Sequence, residues 1–271
     1  MQKLYFLGPK GTYSELAALR FLKILSSEYA LECVSTIAKI IDLLDKNPLA
    51  LGVLPIENSL EGIVRQTIDS LYVSNVKIQA QVEVKIEHCL YSKGKKEDIT
   101  HIISHPQALS QCHKYILDNF DNNIDLINSN STASAVLSIL EKDKTYGAIG
   151  SIESGKNLKL NILDKNINDN KDNKTRFILA SRTDLKFGQK TRTSIVFNTK
   201  NEPGALLRVL EIFNKYNLNL VYLESRPSKR VFGEYNFFVD INKGIEKIEK
   251  PLEEIKNICN YYKFLGSYSI L

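Results

Sequence analysis

The first 150 residues repeat one pattern of hydrophobic and polar positions four times. A short apolar run is followed by a polar turn, and then by apolar residues spaced three and four apart, as on one face of a helix. The apolar runs span residues 4–7, 49–56, 101–103 and 125–127, and the helical patterns begin near Tyr13, Leu60, Pro106 and Ala133. This alternation of strands and helices predicts an α/β sandwich.

Residues that favour helix starts stand at these positions. They are Thr12 with Glu15, Asn58 with Glu61, Pro106, and Ser131 or Thr132. Both pairs have capping-box spacing, and proline suits the first helical position. In α/β folds, ligands bind beyond the carboxyl ends of the strands, where helix N-termini present unpaired N–H groups and a partial positive charge. The helix starts therefore predict a site for a small anion.

The pattern changes after a polar, turn-rich region. Residues 164–174 are expected to form a loop, with Thr175 in or beside it, and a second polar stretch covers 181–193. Beyond it the pattern predicts a strand at 193–198, a helix at 204–217, strands at 220–228 and 234–241, a helix at 245–260 and a strand at 264–270. This βαββαβ order is ferredoxin-like. We therefore expect two domains, residues 1–183 and 193–271.

Composition limits the possible classes of protein. Of 271 residues, 43% are hydrophobic and 25% are charged, as in folded globular proteins with a substantial core. The net charge of +5 comes from dispersed lysines, so it reflects either a compositional bias or some residues that serve an anionic ligand, without the basic stripe of a nucleic-acid site. The N-terminal apolar run is too short for a signal peptide, and no run approaches the roughly 18 residues of a membrane span. We expect a cytoplasmic protein with no membrane or nucleic-acid partner.

The cysteines predict neither a disulfide framework nor a metal site. They stand far apart, without a CxxC pair, at Cys33, Cys89, Cys112 and Cys259. Reduced, mostly buried thiols are therefore expected. His105 and Cys112 would lie about 10 Å apart along a helix, too far to bind one ion. No Walker A or GxGxxG motif occurs, and the glycines at 8 and 11 favour a tight turn before a capped helix, or an approach of backbone amides to an anion.

The segments that resemble the prephenate dehydratase family are GPKGTYSE at 8–15, PIENSLEGIV at 55–64, HPQALSQC at 105–112 and NKTRF at 173–177. NEPGALLRVLEIF at 201–213 and ESRPS at 224–228 resemble the ACT regulatory domain of these enzymes. The resemblance implies a two-lobed, periplasmic-binding-protein-like catalytic region followed by a ferredoxin-like ACT domain. It also implies conversion of prephenate to phenylpyruvate, water and carbon dioxide in phenylalanine biosynthesis, with no metal or organic cofactor. Because GPKGTYSE begins at residue 8, the form without a chorismate mutase domain is expected.

The resemblance implies roles in the catalytic region. Thr175 is expected to be catalytic, either as a hydrogen-bond donor to the leaving hydroxyl or as a link in a relay, because a threonine hydroxyl is a weak acid. Glu57 is a candidate for a carboxyl that burial keeps neutral beside Thr175, or else a structural partner of a cap or a basic residue. Expected substrate-binding residues are Thr12, Asn58, Ser59, Thr132, Arg176 and Phe177. Arg176 would bind a carboxylate or form a salt bridge that steadies the loop, whereas His105 and Gln107 are expected to be structural.

The resemblance also implies a phenylalanine site in the ACT domain. Its expected residues are Asn201, Pro203, Gly204, Ala205, Leu206, Glu224, Ser225, Arg226 and Pro227. Gly204 would leave space for the amino acid, or else GALLRVL is only a turn and an apolar helix face. A homodimer or homotetramer with ACT domains paired around phenylalanine is expected. Two alternatives stay open: an arogenate dehydratase, and a non-catalytic amino-acid-sensing binding protein.

Overall fold

The chain folds into two lobes and a C-terminal domain, and the computed structural model describes residues 2–25, 28–121, 123–156, 158, 160–228 and 234–271. The first lobe contains β1 (Gln2–Leu7), α1 (Tyr13–Ile24), β2 (Tyr29–Val34), α2 (Ile37–Lys46), β3 (Leu51–Asn58), β4 (Gly62–Ile63), α3 (Arg65–Val73) and β5 (Lys77–Lys85). The second lobe contains β6 (Cys89–Ser92), β7 (His101–Ser104), α4 (Pro106–Gln111), α5 (His113–Asn119), β8 (Asp125–Asn128), α6 (Thr132–Ser138), β9 (Tyr146–Gly150) and β10 (Asn161–Lys165). The chain then returns to the first lobe in β11 (Lys174–Ser181).

The C-terminal domain has the predicted βαββαβ order. Its elements are β12 (Arg192–Asn198), α7 (Ala205–Lys215), β13 (Leu220–Pro227), β14 (Tyr235–Ile241), α8 (Glu249–Ile258) and β15 (Tyr261–Ile270). The strands are ordered β13-β14-β12-β15, and α7 and α8 cover one face through a core that includes Val209 and Ile255. This arrangement confirms the ferredoxin-like fold.

The C-terminal domain and the first lobe share one sheet. Strand β15 pairs in parallel with β5, so the order continues from β15 through β5, β11, β3 and β1 to β2. Buried side chains from both parts, including Ile78, Ile178, Phe238 and Tyr268, form one hydrophobic cluster beneath α2 and α3. Strand pairing and core packing both cross between the catalytic region and the C-terminal domain. The division of the chain into separate domains at 1–183 and 193–271 therefore stays a prediction.

The second lobe has its own sheet, ordered β10-β6-β9-β7-β8. Two connections, residues 86–88 and 166–173, join it to the first lobe. The two-lobed architecture is confirmed, with a cleft between the sheets.

Two predictions about the catalytic region were wrong. The helix expected near Leu60 begins at Arg65, because the Asn58 side chain instead caps a turn that leads into β4. Thr175 lies in a strand rather than a loop, since the apolar residues after it pair with β3 on one side and β5 on the other. The four predicted strand–helix repeats also leave out β2, α2, β5, β6, β9 and β10.

The described cysteines are free thiols. Cys89 and Cys112 are buried, as expected, whereas Cys33 is exposed. Among the described residues, no group of three or more His, Cys, Asp or Glu side chains could hold a metal ion. In the same part of the chain, no helix is both long and apolar enough to cross a membrane.

Candidate active site

A cavity of about 260 Å³ lies between the two lobes. It brings together four predicted site residues: Thr12, Asn58, Thr132 and Thr175. The other described residues that line it are Leu7, Gly8, Tyr13, Ser14, Ile86, His88, His105, Gln107, Ala108, Gln111, Asn130 and Ser131. None of these side chains is a lysine, arginine, aspartate or glutamate, so an anion here would be bound by neutral hydrogen-bonding groups.

Three of the predicted helix starts border this cavity. Thr12 caps α1 by accepting a hydrogen bond from Glu15 N at 3.4 Å, while its own hydroxyl donates to Pro9 O at 2.9 Å. His105 caps α4, and Ser131 caps α6 by accepting from Ser134 N at 3.0 Å. The N-terminal ends of these three helices supply backbone N–H groups and a partial positive charge on both sides of the cleft.

The orientation of the Asn58 amide determines the role of the Thr175 hydroxyl. Asn58 Oδ1 accepts hydrogen bonds from the backbone N–H groups of Leu60 and Glu61 at 3.0 and 3.1 Å, so the opposite side of the amide must be the NH₂ group. Asn58 Nδ2 then donates to Thr175 Oγ1 at 2.9 Å. Thr175 is therefore an acceptor toward Asn58, which leaves its own proton available for the cleft.

A chain of buried hydrogen bonds continues from Asn58 to the second lobe. Asn58 Nδ2 also donates to Asn173 Oδ1 at 2.8 Å, and Asn173 Nδ2 donates to Gln111 Oε1 at 3.0 Å. The same oxygen lies 3.2 Å from His88 Nε2, so His88 must carry its proton on that nitrogen. His88 Nδ1 and Gln111 Nε2 have no hydrogen-bond partner among the described residues.

These hydrogen bonds add residues to the site to which the sequence analysis assigned no role. Gln111 lies four positions after Gln107, and that spacing could have placed both side chains on one face of a helix. Asn173 stands two residues before Thr175, the spacing that puts strand neighbours on one side. His88 lies in the connection between lobes and carried no recognisable signal.

The sequence model of the prephenate dehydratase family matches residues 4–184. The chain belongs to the prephenate dehydratase family. The ACT domain model matches residues 193–260. The chain is 42% identical to the prephenate dehydratase of Methanocaldococcus jannaschii, over 97% of this chain and 96% of that protein. These matches confirm the family that the motifs predicted.

Solved structures agree with this assignment of fold. The prephenate dehydratase from Arthrobacter aurescens in complex with L-Phe has a TM-score of 0.87 and 28% identity, and the match covers 98% of this chain and 90% of that one. GqqA, described as a quorum-quenching acylase, has a TM-score of 0.85 and 26% identity, with 100% and 98% coverage. The fold of prephenate dehydratases is thus also found in a protein described by another activity.

Glu57 and Arg176 do not reach the cleft of this prephenate dehydratase family member. Neighbouring strand residues face opposite sides of a sheet, so Asn58 and Thr175 face the cleft while Glu57 and Arg176 face the C-terminal domain. Arg176 pairs with Glu57 at 2.7 Å and with Asp240 at 2.5 Å. For both residues the structure shows the second alternative expected from the sequence, a salt bridge between a carboxylate and a basic residue, and neither lines the cavity in which their catalytic and substrate-binding roles were expected.

Two other predicted substrate ligands also lie outside the cavity. Ser59 is exposed, and its hydroxyl accepts a hydrogen bond from Lys174 N at 3.0 Å. Phe177 is buried in the core beneath α1, where Leu179 of the same strand also packs. By contrast, His105 and Gln107, expected to be structural, line the cleft.

The predicted effector segments occupy different surfaces of one chain. A cavity of about 280 Å³ at the start of α7 is lined by Thr199, Lys200, Asn201, Glu202, Gly204, Ala205, Leu206, Leu207, Glu234, Tyr235 and Phe237. It holds four members of the first segment, and Pro203 lies in the adjoining turn. The second segment lies on the edge strand β13. There Glu224 accepts a hydrogen bond from the Tyr222 hydroxyl, and Arg226 forms an ion pair with Asp69 of α3 at 3.1 Å. Ser225 is exposed, and Pro227 ends the strand. Within the described residues of one chain, the second segment does not line the cavity that holds the first.

The buried imidazole of His88 is expected to make the free energy of unfolding depend on pH. Burial lowers the pKa of His88 from 6.5 to about 4, although its hydrogen bond to Gln111 opposes part of this change. Between these pH values the unfolded chain binds more protons than the folded one, so the free energy of unfolding decreases as the pH falls from 6.5 to 4, by about 3 kcal/mol in total. His88→Gln, which retains a donor for Gln111, should lack this contribution. Urea unfolding at pH 7 and pH 4 measures both proteins, and equal losses on acidification would contradict the prediction.

Proposed function

We propose that this chain converts prephenate into phenylpyruvate, water and carbon dioxide in the cleft between its lobes. The observation that carries the proposal is the Thr175 hydroxyl, which accepts from Asn58 and keeps its proton for a cleft ligand. Membership of the prephenate dehydratase family supplies the reaction class.

The conversion of prephenate to phenylpyruvate requires few catalytic groups from the protein. In prephenate, the bond between the ring and its carboxylate breaks, its electron pair moves into the ring, and the hydroxyl opposite leaves. Carbon dioxide departs, the ring becomes aromatic, and the oxygen takes up a proton to leave as water. A donor positioned at that oxygen stabilises the developing negative charge, and this is the role proposed for Thr175. Water or a second donor then supplies the proton, because a threonine hydroxyl is a weak acid.

Neutral groups would hold the two carboxylates of the substrate. Thr132 and the N–H groups at the start of α6, with the capped start of α1 at Thr12, offer such donors on opposite walls. Gln111 Nε2 adds a donor that has no partner among the described residues. His105 Nδ1 accepts from Gln107 N at 3.3 Å, so a neutral His105 carries its proton on Nε2 and can donate as well.

A direct assay tests the proposal. Purified protein is incubated with prephenate, and with arogenate in parallel, while phenylpyruvate or phenylalanine formation is followed. We expect turnover of prephenate. Turnover of arogenate alone would identify the alternative dehydratase, and binding of prephenate by calorimetry without turnover would identify a non-catalytic sensor.

We further propose that L-phenylalanine binds at the start of α7 and inhibits the enzyme, in a homodimer or homotetramer. The Arthrobacter aurescens relative was solved in complex with L-Phe. Among the described residues, strand β13 lies at the edge of the sheet, and Leu207, Val221, Leu223 and Tyr235 are exposed apolar side chains of this domain. Pairing of two copies there would cover these side chains and could bring the second effector segment of one copy to the α7 cavity of the other.

Gly204→Val is expected to weaken phenylalanine binding by about tenfold or more, since a side chain would fill the cavity at the helix start. Gly204 has a φ of +79°, and a Cβ there would have a single described neighbour within 4 Å, Arg208 Nη1 at 3.5 Å. Calorimetry with phenylalanine measures the affinity, and Gly188→Val, at an open linker position, is the matched control. Wild-type affinity of the Gly204 variant would remove this cavity from the effector site.

The cytoplasmic location and the absence of nucleic-acid partners stay predictions from the sequence. The same holds for the role in phenylalanine biosynthesis as a supplier of phenylpyruvate, which the turnover assay addresses.

A further inference from the structure

A buried ion-pair cluster lies directly behind the proposed catalytic residues. Thr175 pairs with Asn58 across β11 and β3, and the next pair in the same register is Arg176 with Glu57. A β-bulge follows, since the register shifts between Arg176 and Phe177. Bulges turn side chains and occur beside active sites. The direction of Thr175 therefore depends on how Arg176 is held.

Arg176 is held by the C-terminal domain. Asp240, which is 0% exposed, reaches from β14 to bind Arg176 Nη2 at 2.5 Å, while Arg176 is only 14% exposed. Ser194 Oγ donates to the other oxygen of Asp240 at 2.5 Å and contacts the Tyr268 hydroxyl at 2.9 Å. Burial would lower the pKa of Arg176, but the carboxylates of Asp240 and Glu57 outweigh it and the pKa is raised. An ion pair this buried has a strongly preferred geometry, because either charge alone would be unsolvated.

The same strand borders the proposed effector cavity. Tyr235 and Phe237 of β14 line the cavity at the start of α7, and Asp240 follows three residues later on the opposite face. A shift of β14 on its effector side would therefore also move the carboxylate that binds Arg176.

We propose that Asp240 is a positioning residue for the dehydratase reaction, which acts through Arg176 to hold the Asn58–Thr175 pair and which transmits the state of the ACT domain to it. This inference rests on the proposed function. The ion pair connects β14 to β11 without passing through the hinge between the lobes. Perturbing it changes the placement of Thr175 rather than the affinity of the cleft for substrate.

The test compares Asp240→Asn with a control at the same domain interface. Lys263 of β15 donates to Leu71 O and Tyr72 O at 2.7 Å, at the end of α3, and has no described hydrogen bond to β11. Lys263→Met therefore removes a tie between the same two parts of the chain. We expect Asp240→Asn to lower kcat about tenfold or more with KM changed less than about threefold, the pattern of a lost transition-state interaction. Lys263→Met should retain wild-type kcat.

The response to phenylalanine is the second measurement. The factor by which phenylalanine changes kcat/KM should fall to less than about twofold in Asp240→Asn and stay near the wild-type value in Lys263→Met. Hydrogen exchange in residues 174–181 should change on addition of phenylalanine to the wild type but not to Asp240→Asn. This readout requires no turnover.

The kinetic and hydrogen-exchange results separate a failure of the proposed function from a failure of the role proposed for Asp240. A wild type that does not convert prephenate contradicts the proposed function, while the exchange comparison still tests the link from Asp240 to β11. A folded Asp240→Asn protein with wild-type kcat and response overturns the inference, as would equal losses in Lys263→Met. Should Asp240→Asn not fold, Glu57→Gln perturbs Arg176 from its other side and Asp240→Glu keeps the charge. We then expect loss of kcat in the former and partial retention in the latter, and the reverse order would overturn the inference.

Discussion

Thr175→Val is expected to lower kcat by about 10²- to 10³-fold, the loss measured when one donor to a developing negative charge is removed. Valine has nearly the shape of threonine and leaves the 9% exposed side chain packed as before. Asn58 Nδ2 keeps Asn173 Oδ1 and Lys174 O as acceptors. Free energy of unfolding should therefore change by only about 1 kcal/mol, while steady-state kinetics with prephenate shows the loss in kcat.

Matched variants separate chemistry from folding. Thr175→Ser keeps the hydroxyl and should recover most of the turnover. Thr67→Val removes another buried threonine hydroxyl of the first lobe, which donates to Pro55 O at 2.6 Å outside the cleft, and should keep wild-type kcat at a similar cost in stability. Wild-type kcat in Thr175→Val would exclude Thr175 from the mechanism.

Gly266→Ala is expected to destabilise the fold by at least about 3 kcal/mol, combining backbone strain with a steric clash. Gly266 has a φ of +143°, and a Cβ there would lie 2.3 Å from Ile78 O and 3.0 Å from Ile78 N, both backbone atoms of β5. Strand β15 could escape only by giving up its pairing with β5 at Ser269–Ala80. Thermal and urea unfolding measure the loss.

A second glycine separates strain from clash. Gly62 has a φ of +79°, and a Cβ there would meet nothing within 4 Å. Gly62→Ala should therefore cost only the strain, about 1 to 2 kcal/mol. If both variants lose equal stability, the close approach of β15 to β5 contributes nothing measurable.

Much of the fold could be predicted because its signals are local. Thr12, Ser131 and Pro106 mark helix starts by hydrogen bonds or backbone geometry within one turn. The βαββαβ order of the C-terminal domain follows from hydrophobic spacing alone. The prediction near Leu60 was wrong because one asparagine can cap a turn as well as a helix, and only the following residues decide which.

The site was predicted in part. Thr12, Asn58, Thr132 and Thr175 meet in the cleft, whereas Arg176, expected there from the family motif and the fit of a guanidinium to a carboxylate, does not line it. Thr175 was expected in a loop, where adjacent side chains can share a direction, but adjacent side chains of a strand face opposite sides of the sheet. Once Thr175 is placed in β11, alternation alone directs Arg176 to the opposite face.

The sequence by itself determined many of the helix starts, the order of elements in the C-terminal domain, and the motifs that place the chain in its family. Only the tertiary structure decided that Asn173, Gln111 and His88 form one hydrogen-bonded chain with Asn58, and that Asp240 reaches Arg176. These partners lie far apart along the sequence. Their contacts follow from the order of strands in the sheets and from the need to pair buried polar groups, and neither leaves a periodic pattern in the residues themselves.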